Sequence, residues 1–342
     1  MDLADETGAG EGRAGFAGDL LAWYDDHARA LAWRAPPGAP ASDPYRVWLA
    51  EVMLQQTTVA AVIPRYARFL ELFPTVEDLA AAPLDAVLAE WAGLGYYARA
   101  RNLHACAKAV VAAGWPRTEA GLRALPGLGA YTAASVAAIA FGQRAVVVDA
   151  NVERVVARLF AVEHPVKAAR AVIRAHADAL TPLARPGDYA QAMMDLGATV
   201  CRPRAPDCLL CPVRGHCAAS ARGLAGELPV RVPKKARPVR RGTVYVGRRA
   251  DGAVLCERRA PEGLYGGMAG LPGGAWGDAA VPAPPCDADW RPAGTVRHGL
   301  THFALELDVF AAAVAEAPTG LFFLAPDELS ALPTVFRACL EA

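Results

Sequence analysis

The sequence predicts two domains: a mainly α-helical N-terminal domain closed by a four-cysteine loop, then a smaller α+β domain. Three observations carry this. Residues 16–228 hold apolar runs of helical period, broken at Pro74, Pro83, Gly93-Leu94-Gly95, Gly114 to Pro116 and Pro126 to Gly129. Cys201, Cys208, Cys211 and Cys217 stand in the spacing C-x6-C-x2-C-x5-C. Beyond a basic stretch the pattern changes to short β-rich or alternating runs, Thr243–Gly247, Ala253–Glu257 and Phe303–Phe310. At 342 residues the chain is long enough for each part to bury its own core.

Composition narrows the class. Formal net charge is zero, which argues against indiscriminate polyanion binding and leaves room for local basic patches. Residues 1–15 are acidic and glycine-rich with no apolar h-region, so a disordered tail is expected there and not a signal peptide. No uncharged apolar run reaches the length of a membrane span. Cys106, Cys256, Cys286 and Cys339 are scattered and read as reduced thiols. A monomeric, cytoplasmic protein with no membrane partner is expected.

Taken in chain order, Asp43-Pro44 is a helix start, with Asp at the N-cap and Pro at the first helical position. The helix is expected from Tyr45 to Val62, limited by Pro64, with Val47, Glu51, Leu54 and Thr58 on one face. A carboxylate on that stripe is desolvated, which raises its pKa and fits a general acid. The alternative is a buried Glu bonded to a helix terminus or an Arg.

Leu125-Pro-Gly-Leu-Gly-Ala-Tyr-Thr-Ala133 reads as a helix, a tight turn and a second helix opening near Ala130. Gly127 and Gly129 would let the backbone approach a phosphate, with free N–H groups of the new helix pointing at it. An ordinary helix–helix turn is the other reading. Asp149 follows the apolar run Ala145–Val148 and opens the next helix, either as its N-cap or as an exposed functional carboxylate.

The four close-set cysteines suit one polynuclear iron–sulfur centre, which takes four thiolates. Structural zinc is the competing ligand, usually held by two C-x2-4-C pairs across a longer spacer; disulfides are the third reading. Arg202 and Arg204 lie between the first two cysteines and Arg214 between the last two, suited to a rigid phosphate contact. Residues 229–242 carry six basic residues (Arg231, Lys234, Lys235, Arg237, Arg240, Arg241) and three prolines, an expected extended linker near phosphate. Residues 243–342 are then the second domain.

Several of these stretches together resemble one family. Leu31-Ala-Trp-Arg34, Asp43-Pro-Tyr-Arg-Val-Trp48, Glu51-Val-Met-Leu-Gln-Gln-Thr57 and Trp91-Ala-Gly-Leu-Gly-Tyr-Tyr-Ala-Arg-Ala-Arg-Asn-Leu-His104 are similar to the signatures of A/G-specific adenine DNA glycosylases. These are the MutY type of the endonuclease III superfamily. The hairpin followed by Asp149 resembles that superfamily's helix-hairpin-helix and catalytic Asp. The resemblance implies a helix-hairpin-helix glycosylase fold with one [4Fe-4S] cluster on Cys201, Cys208, Cys211 and Cys217. It also implies double-stranded DNA carrying A:8-oxoguanine or A:G mispairs as the partner, in base excision repair, with the protein associated with the nucleoid.

Glu51 would protonate N7 of the flipped adenine, Asp149 would stabilise the sugar cation, and water would complete an abasic site. Tyr131 stands where bifunctional relatives carry an imine-forming Lys, so a monofunctional enzyme is implied. Gln56 and Tyr96 would wedge the duplex, with Thr57, Leu94, Gly95 and Asn151 also expected at DNA. Arg34 and Gln191 would line the adenine pocket, or for Gln56 and Gln191 a solvated helix face. Ala150 departs from the family's usual Gly.

Residues 257–274 resemble a Nudix-like domain, but Ala275 to Pro285 lack the metal-binding REx2EExG helix, so binding is expected and not hydrolysis. Leu300, Thr301 and His302 match the family's 8-oxoguanine-reading Phe-Ser-His-like loop, with Leu for Phe expected to weaken discrimination; the loop could instead only pack against the sheet. The alternatives are a thymine/uracil mismatch glycosylase on the same fold, a lesion-binding protein without turnover and, last, a Nudix hydrolase.

Overall fold

Side-chain caps from Asp43, Thr58, Thr75, Thr118 and Asp149 set several of the helix starts. The computed structural model describes residues 15–342 except 231, 233–236, 261, 262 and 301. Residues 1–14 of the expected tail, Arg231, Lys234 and Lys235 of the expected linker, and Thr301 lie outside the described residues. In chain order the helices are α1 (Phe16–His27), α2 (Pro44–Leu54), α3 (Val59–Leu72), α4 (Val76–Ala81), α5 (Leu84–Glu90), α6 (Ala98–Ala113), α7 (Glu119–Arg123), α8 (Ala130–Phe141), α9 (Ala150–Leu159), α10 (Val166–Leu180), α11 (Pro186–Thr199) and α12 (Ala218–Ala221). Strands β1 (Val239–Arg248), β2 (Val254–Arg258), β3 (Ala269–Gly270), β4 (Arg291–Gly299), β5 (Ala304–Ala313) and β6 (Leu321–Leu324) follow, and α13 (Thr334–Leu340) comes last. The chain divides into two units, residues 1–82 with 102–233, and residues 83–101 with 234–342.

In the first unit α8 is the central helix: every residue from Thr132 to Ala140 is buried, with α2, α7 and α11 packed on it. An all-round apolar helix belongs in a core, and its alanines allow close crossings. Gly187 exploits one of them, since a Cβ there would lie 2.7 Å from the Ala138 carbonyl oxygen.

The helix expected over 45–62 is two helices. Asp43 and Pro44 start α2 as read, with Asp43 accepting from the Arg46 N–H. The helix then stops at Leu54, because Gln56 adopts left-handed backbone (φ 56°) and the Thr58 hydroxyl caps a new helix by accepting from Ala61 N. Such a cap contributes about 1 kcal/mol. Thr58 therefore leaves the stripe of Val47, Glu51 and Leu54, and Pro64 sits inside α3 instead of ending its predecessor.

The second unit holds a mixed sheet of order β3-β2-β1-β5-β4, with β6 on β2. β1 runs parallel to β5 from Val239↔Ala304 to Arg248↔Ala313, so the strand opens before the expected linker ends at 242. Val244, Val246, Leu305, Leu307 and Val309 pack with Val335 and Phe336 of α13. The glycines at 273 and 274 serve close packing: a Cβ on Gly273 would meet the Thr243 carbonyl oxygen at 2.1 Å, and one on Gly274 the Val281 oxygen at 2.4 Å. Residues 271–290 contain no helix, in keeping with the missing REx2EExG pattern. Among the described residues no helix is long and apolar enough to cross a membrane.

Candidate active site

Glu51 sits near the end of α2, 6 % exposed, on the wall of a cavity of about 940 Å³. Burial pushes its carboxyl above the usual range; the Tyr131 and Ser135 hydroxyls and the Arg34 charge oppose the rise, and Asp149 adds to it. Its Oε2 has no hydrogen bond of normal geometry. The alternative of a Glu bonded to a helix terminus thus finds no support at that oxygen. Tyr131, in the first turn of α8, donates its hydroxyl to Met194 Sδ at 3.4 Å. Burial, then the Glu51 and Asp149 charges, hold its phenol well above the ordinary value, so it remains a donor.

Asp149 borders the same cavity under different conditions. It is the N-cap of α9: Oδ1 accepts from Val152 N at 2.7 Å and Oδ2 from Asn151 Nδ2 at 2.8 Å. The capping and functional readings of Asp149 are compatible, since both need the carboxylate at this helix start. Ala150 is the first residue of α9 in ordinary helical backbone, so the departure from Gly leaves the turn intact. Asn151 is itself fixed by Arg154, whose guanidinium donates to Asn151 Oδ1 (2.9 Å), Gly197 O (2.6 Å) and Cys201 O (2.8 Å).

The hairpin forms as read, from α7 through a turn into α8. Gly127 has φ 76°, and a Cβ on it would meet Asn102 Cβ at 2.6 Å; nothing crowds Gly129, the N-cap of α8. Arg34, Gln56, Thr57, Gly127, Gly129, Asn151 and Gln191 all border the cavity with Glu51, Tyr131 and Asp149. Gln191 is buried and donates to Gly187 O at 3.3 Å, so it is no solvated face; Gln56 is exposed in the α2–α3 turn. Arg34 reaches Asp195 Oδ2 at 2.7 Å and Arg29 reaches Oδ1 at 2.6 Å, with Asp195 fully buried.

Asp195, Gln55, which donates to Thr132 Oγ1 at 2.9 Å, and the buried Ser135 escaped the sequence reading. A signal existed for two: Asp195 stands one helical turn after Gln191, and Gln55 adjoins Gln56.

Cys201, Cys208, Cys211 and Cys217 form a partly buried group on a loop of short 3-10 turns. Burial pushes the Cys211 thiol up to about 11, and Cys201, Cys217 and Cys208 all act on it electrostatically. Among the described residues no three His, Cys, Asp or Glu side chains converge as a single metal ion requires. Arg158, 2 % exposed, donates from Nη1 to Cys201 Sγ at 3.2 Å and accepts at its carbonyl from Cys217 Sγ at 3.5 Å; its Nη2 has no partner. Arg202 is paired with Asp207 at 2.9 Å, while Arg204 and Arg214 are exposed.

The remaining predicted residues lie in the second unit. Leu94 is buried, its carbonyl and that of Gly95 held by Arg99 Nη2 at 2.8 and 3.1 Å, so its side chain is not offered for contact. Tyr96 is 41 % exposed with φ 50°, and the Arg99 guanidinium stacks over its ring. Leu300 is half-buried against the sheet core and closes a turn by donating its N–H to Phe303 O at 2.9 Å. Arg237 donates to Leu300 O, Arg240 lies 4.3 Å over the Phe303 ring, and His302 is exposed.

Residues 49–177 match the family described as HhH-GPD superfamily base excision DNA repair protein, and residues 243–342 match the NUDIX domain. The chain is 40 % identical over 254 residues to an adenine DNA glycosylase of Mycobacterium tuberculosis, covering 71 % of this chain and 78 % of that one. It is 43 % identical over 238 residues to an adenine DNA glycosylase of Mus musculus, covering 66 % of this chain and 44 % of that one. The chain thus spans less than half the length of the mammalian relatives it matches. A solved thermostable thymine-DNA glycosylase superposes with a TM-score of 0.54 and 27 % identity, covering 65 % of this chain and all of that one.

Proposed function

From the adenine DNA glycosylase family, to which this chain belongs, we infer that it excises adenine mispaired with 8-oxoguanine or guanine by hydrolysis, leaving an abasic site. One observation carries the chemistry: a buried carboxyl with a raised pKa shares a cavity with a second carboxylate supplied with N–H donors. A carboxyl raised by burial beside a second one that accepts two hydrogen bonds suits cleavage of a glycosidic bond, where one donates a proton and the other faces a sugar cation.

Glu51, its carboxyl pushed up by burial, delivers its proton to N7 of an adenine flipped into the cavity, and the C–N bonding pair leaves with the base. The Asp149 carboxylate faces the sugar cation at C1′, and water attacks there. Tyr131 offers no amine and so forms no imine; its hydroxyl stays protonated and faces Glu51. Arg34 and Gln191 border the base pocket, each held by a partner of its own.

The cysteine loop fits a [4Fe-4S] cluster on Cys201, Cys208, Cys211 and Cys217. The four thiols act on one another electrostatically within one short loop, and the orphaned Nη2 of buried Arg158 beside Cys201 suits a sulfur acceptor. When bound, the cluster supplies a rigid structural core for the loop. Arg204 and Arg214 are then the exposed charges for phosphate, Arg202 being engaged with Asp207. In the second unit, the turn at Leu300 to Phe303 is the reader of the opposite base, and it recognises without hydrolysing, since the metal-binding helix pattern is missing.

Single-turnover reactions on duplexes bearing A:8-oxoguanine, A:G, A:C and T:G, with and without hot alkali, test this reading. Strand breaks at A:8-oxoguanine and A:G only after alkali are expected. Breaks without alkali would require a lyase amine, and cleavage at T:G alone would move the enzyme to the thymine branch.

A further inference from the structure

Glu51, on the wall of the cavity, and Ser135, on the helix beside it, each carry a buried polar atom with no hydrogen bond of normal geometry, Oε2 and Oγ. Ser135 is fully buried on α8, among Ala133, Ala134, Val136, Ala137 and Ala138. A hydroxyl in such a setting costs stability unless it finds a partner. A mid-helix serine usually bonds back to the carbonyl one turn earlier, but Ser135 does not. It stands one turn after Tyr131 on the same face of α8, and that face meets α2, where Gln55 bonds Thr132. Both the Glu51 carboxyl and the Tyr131 hydroxyl lie within reach of its side chain.

The charged and titratable groups that act on Glu51 are Arg34 from the loop before α2, Tyr131 from α8 and Asp149 from the start of α9. Each is already committed, Arg34 to Asp195, Tyr131 to Met194 and Asp149 to Val152 and Asn151. Ser135 is not.

We propose that Ser135 is a positioning residue for the acid: its hydroxyl, directly or through one water, holds Oε2 of Glu51 so that the carboxyl proton is presented to the cavity. This rests on the reading of Glu51 as the proton donor. As that proton passes to the base and the C–N pair departs, the new carboxylate accepts the Ser135 O–H. A hydroxyl bonded to the ionised form favours it and opposes desolvation. Without it Glu51 keeps its proton to higher pH yet releases it less readily.

The test is the single-turnover rate against pH on an A:8-oxoguanine duplex, for the wild type, Ser135→Ala, Ser135→Cys and Glu51→Gln, with melting curves for each. In Ser135→Ala the alkaline limb is expected to move up by about one pH unit. Its plateau is expected to fall about tenfold, with melting unchanged or raised in this alanine-rich helix. Ser135→Cys, similar in size and a weak donor, is expected to fall between. A limb that stays in place in both Ser135 variants overturns the proposal while leaving Glu51 as the acid, provided Glu51→Gln is inactive. Activity in Glu51→Gln would overturn the acid itself, and the positioning role with it.

Discussion

At the end of α2, Glu51 is packed in a buried wall with one oxygen unpartnered, whereas at the start of α9 Asp149 is half-exposed and accepts from two N–H groups. The two carboxyl groups border one cavity, yet desolvation dominates the surroundings of the first, while donors and a helix terminus support the second. The difference shows how a fold assigns acid and anion roles to chemically similar side chains: by what surrounds them. It also divides the supports. The Glu51 side depends on α2–α8 packing, while the Asp149 side is tied through Asn151 and Arg154 to Cys201 O, the start of the cysteine loop.

The largest expected effect removes the acid. Glu51→Gln should lower adenine excision by about 10²–10⁴-fold while leaving duplex affinity near that of the wild type, read by single-turnover kinetics and titration of a labelled duplex. Equal loss of both would erase the contrast, since Glu51 would then be a scaffold residue. Asp149→Asn comes next. Asn caps helices as well as Asp does, so melting should be kept while excision falls about 10²–10³-fold. A large drop in melting would mean that capping is the residue's whole role.

Cys201→Ser sharpens the division of supports. It should slow excision by about 10–100-fold and leave the alkaline limb of the pH profile where the wild type has it, because its connection leads to Asp149 and not to Glu51. Gly197→Ala acts on the same side more gently. A Cβ at 197 would lie 2.6 Å from Asn151 Cβ, so Asn151 must shift, with a loss of about tenfold or less expected. A shifted alkaline limb in either variant would break the separation.

The smallest effect is on stability. The folded-state pKa of Glu51 is raised above the ordinary 4.5, so between those values the native state binds more protons than the unfolded one. This contribution is present at low pH and is lost as pH rises through the raised value. Glu51→Gln should therefore flatten the decline and raise the melting temperature at pH 8 by about 2–4 °C, the shift that about 1 kcal/mol produces in a unit of the size that carries Glu51. Melting of the wild type and the variant that runs parallel with pH would argue that the carboxyl is ionised in the native state.

Features written in adjacent residues were legible in the sequence. The Asp43-Pro44 start, the turn through Gly127 and Gly129, and the cap at Asp149 need only local hydrogen bonds and backbone conformation, and all three form as read. The stop at Leu54 was not legible, since the left-handed residue is a Gln where a Gly would have marked it. Strand β1 begins early because Val239 pairs with Ala304, a partner no local pattern names. Leu94 was expected at DNA and is buried. Ser135 was invisible for a different reason: in a run of alanines a serine reads as filler, and only the packing of α8 on α2 turns its hydroxyl into a neighbour of Glu51.

The claim that a buried acid drives base release by protonating N7 is tested most directly at the substrate. A duplex in which the target adenine carries carbon in place of N7 keeps its shape and pairing and loses the atom that takes the proton. The account predicts that the protein binds this duplex as well as the adenine duplex and fails to release its base, at any pH between 5 and 9 (a range of about two units either side of neutrality). Release of the modified base at a rate within about tenfold of adenine would contradict it, since Glu51 would then not act as the N7 acid.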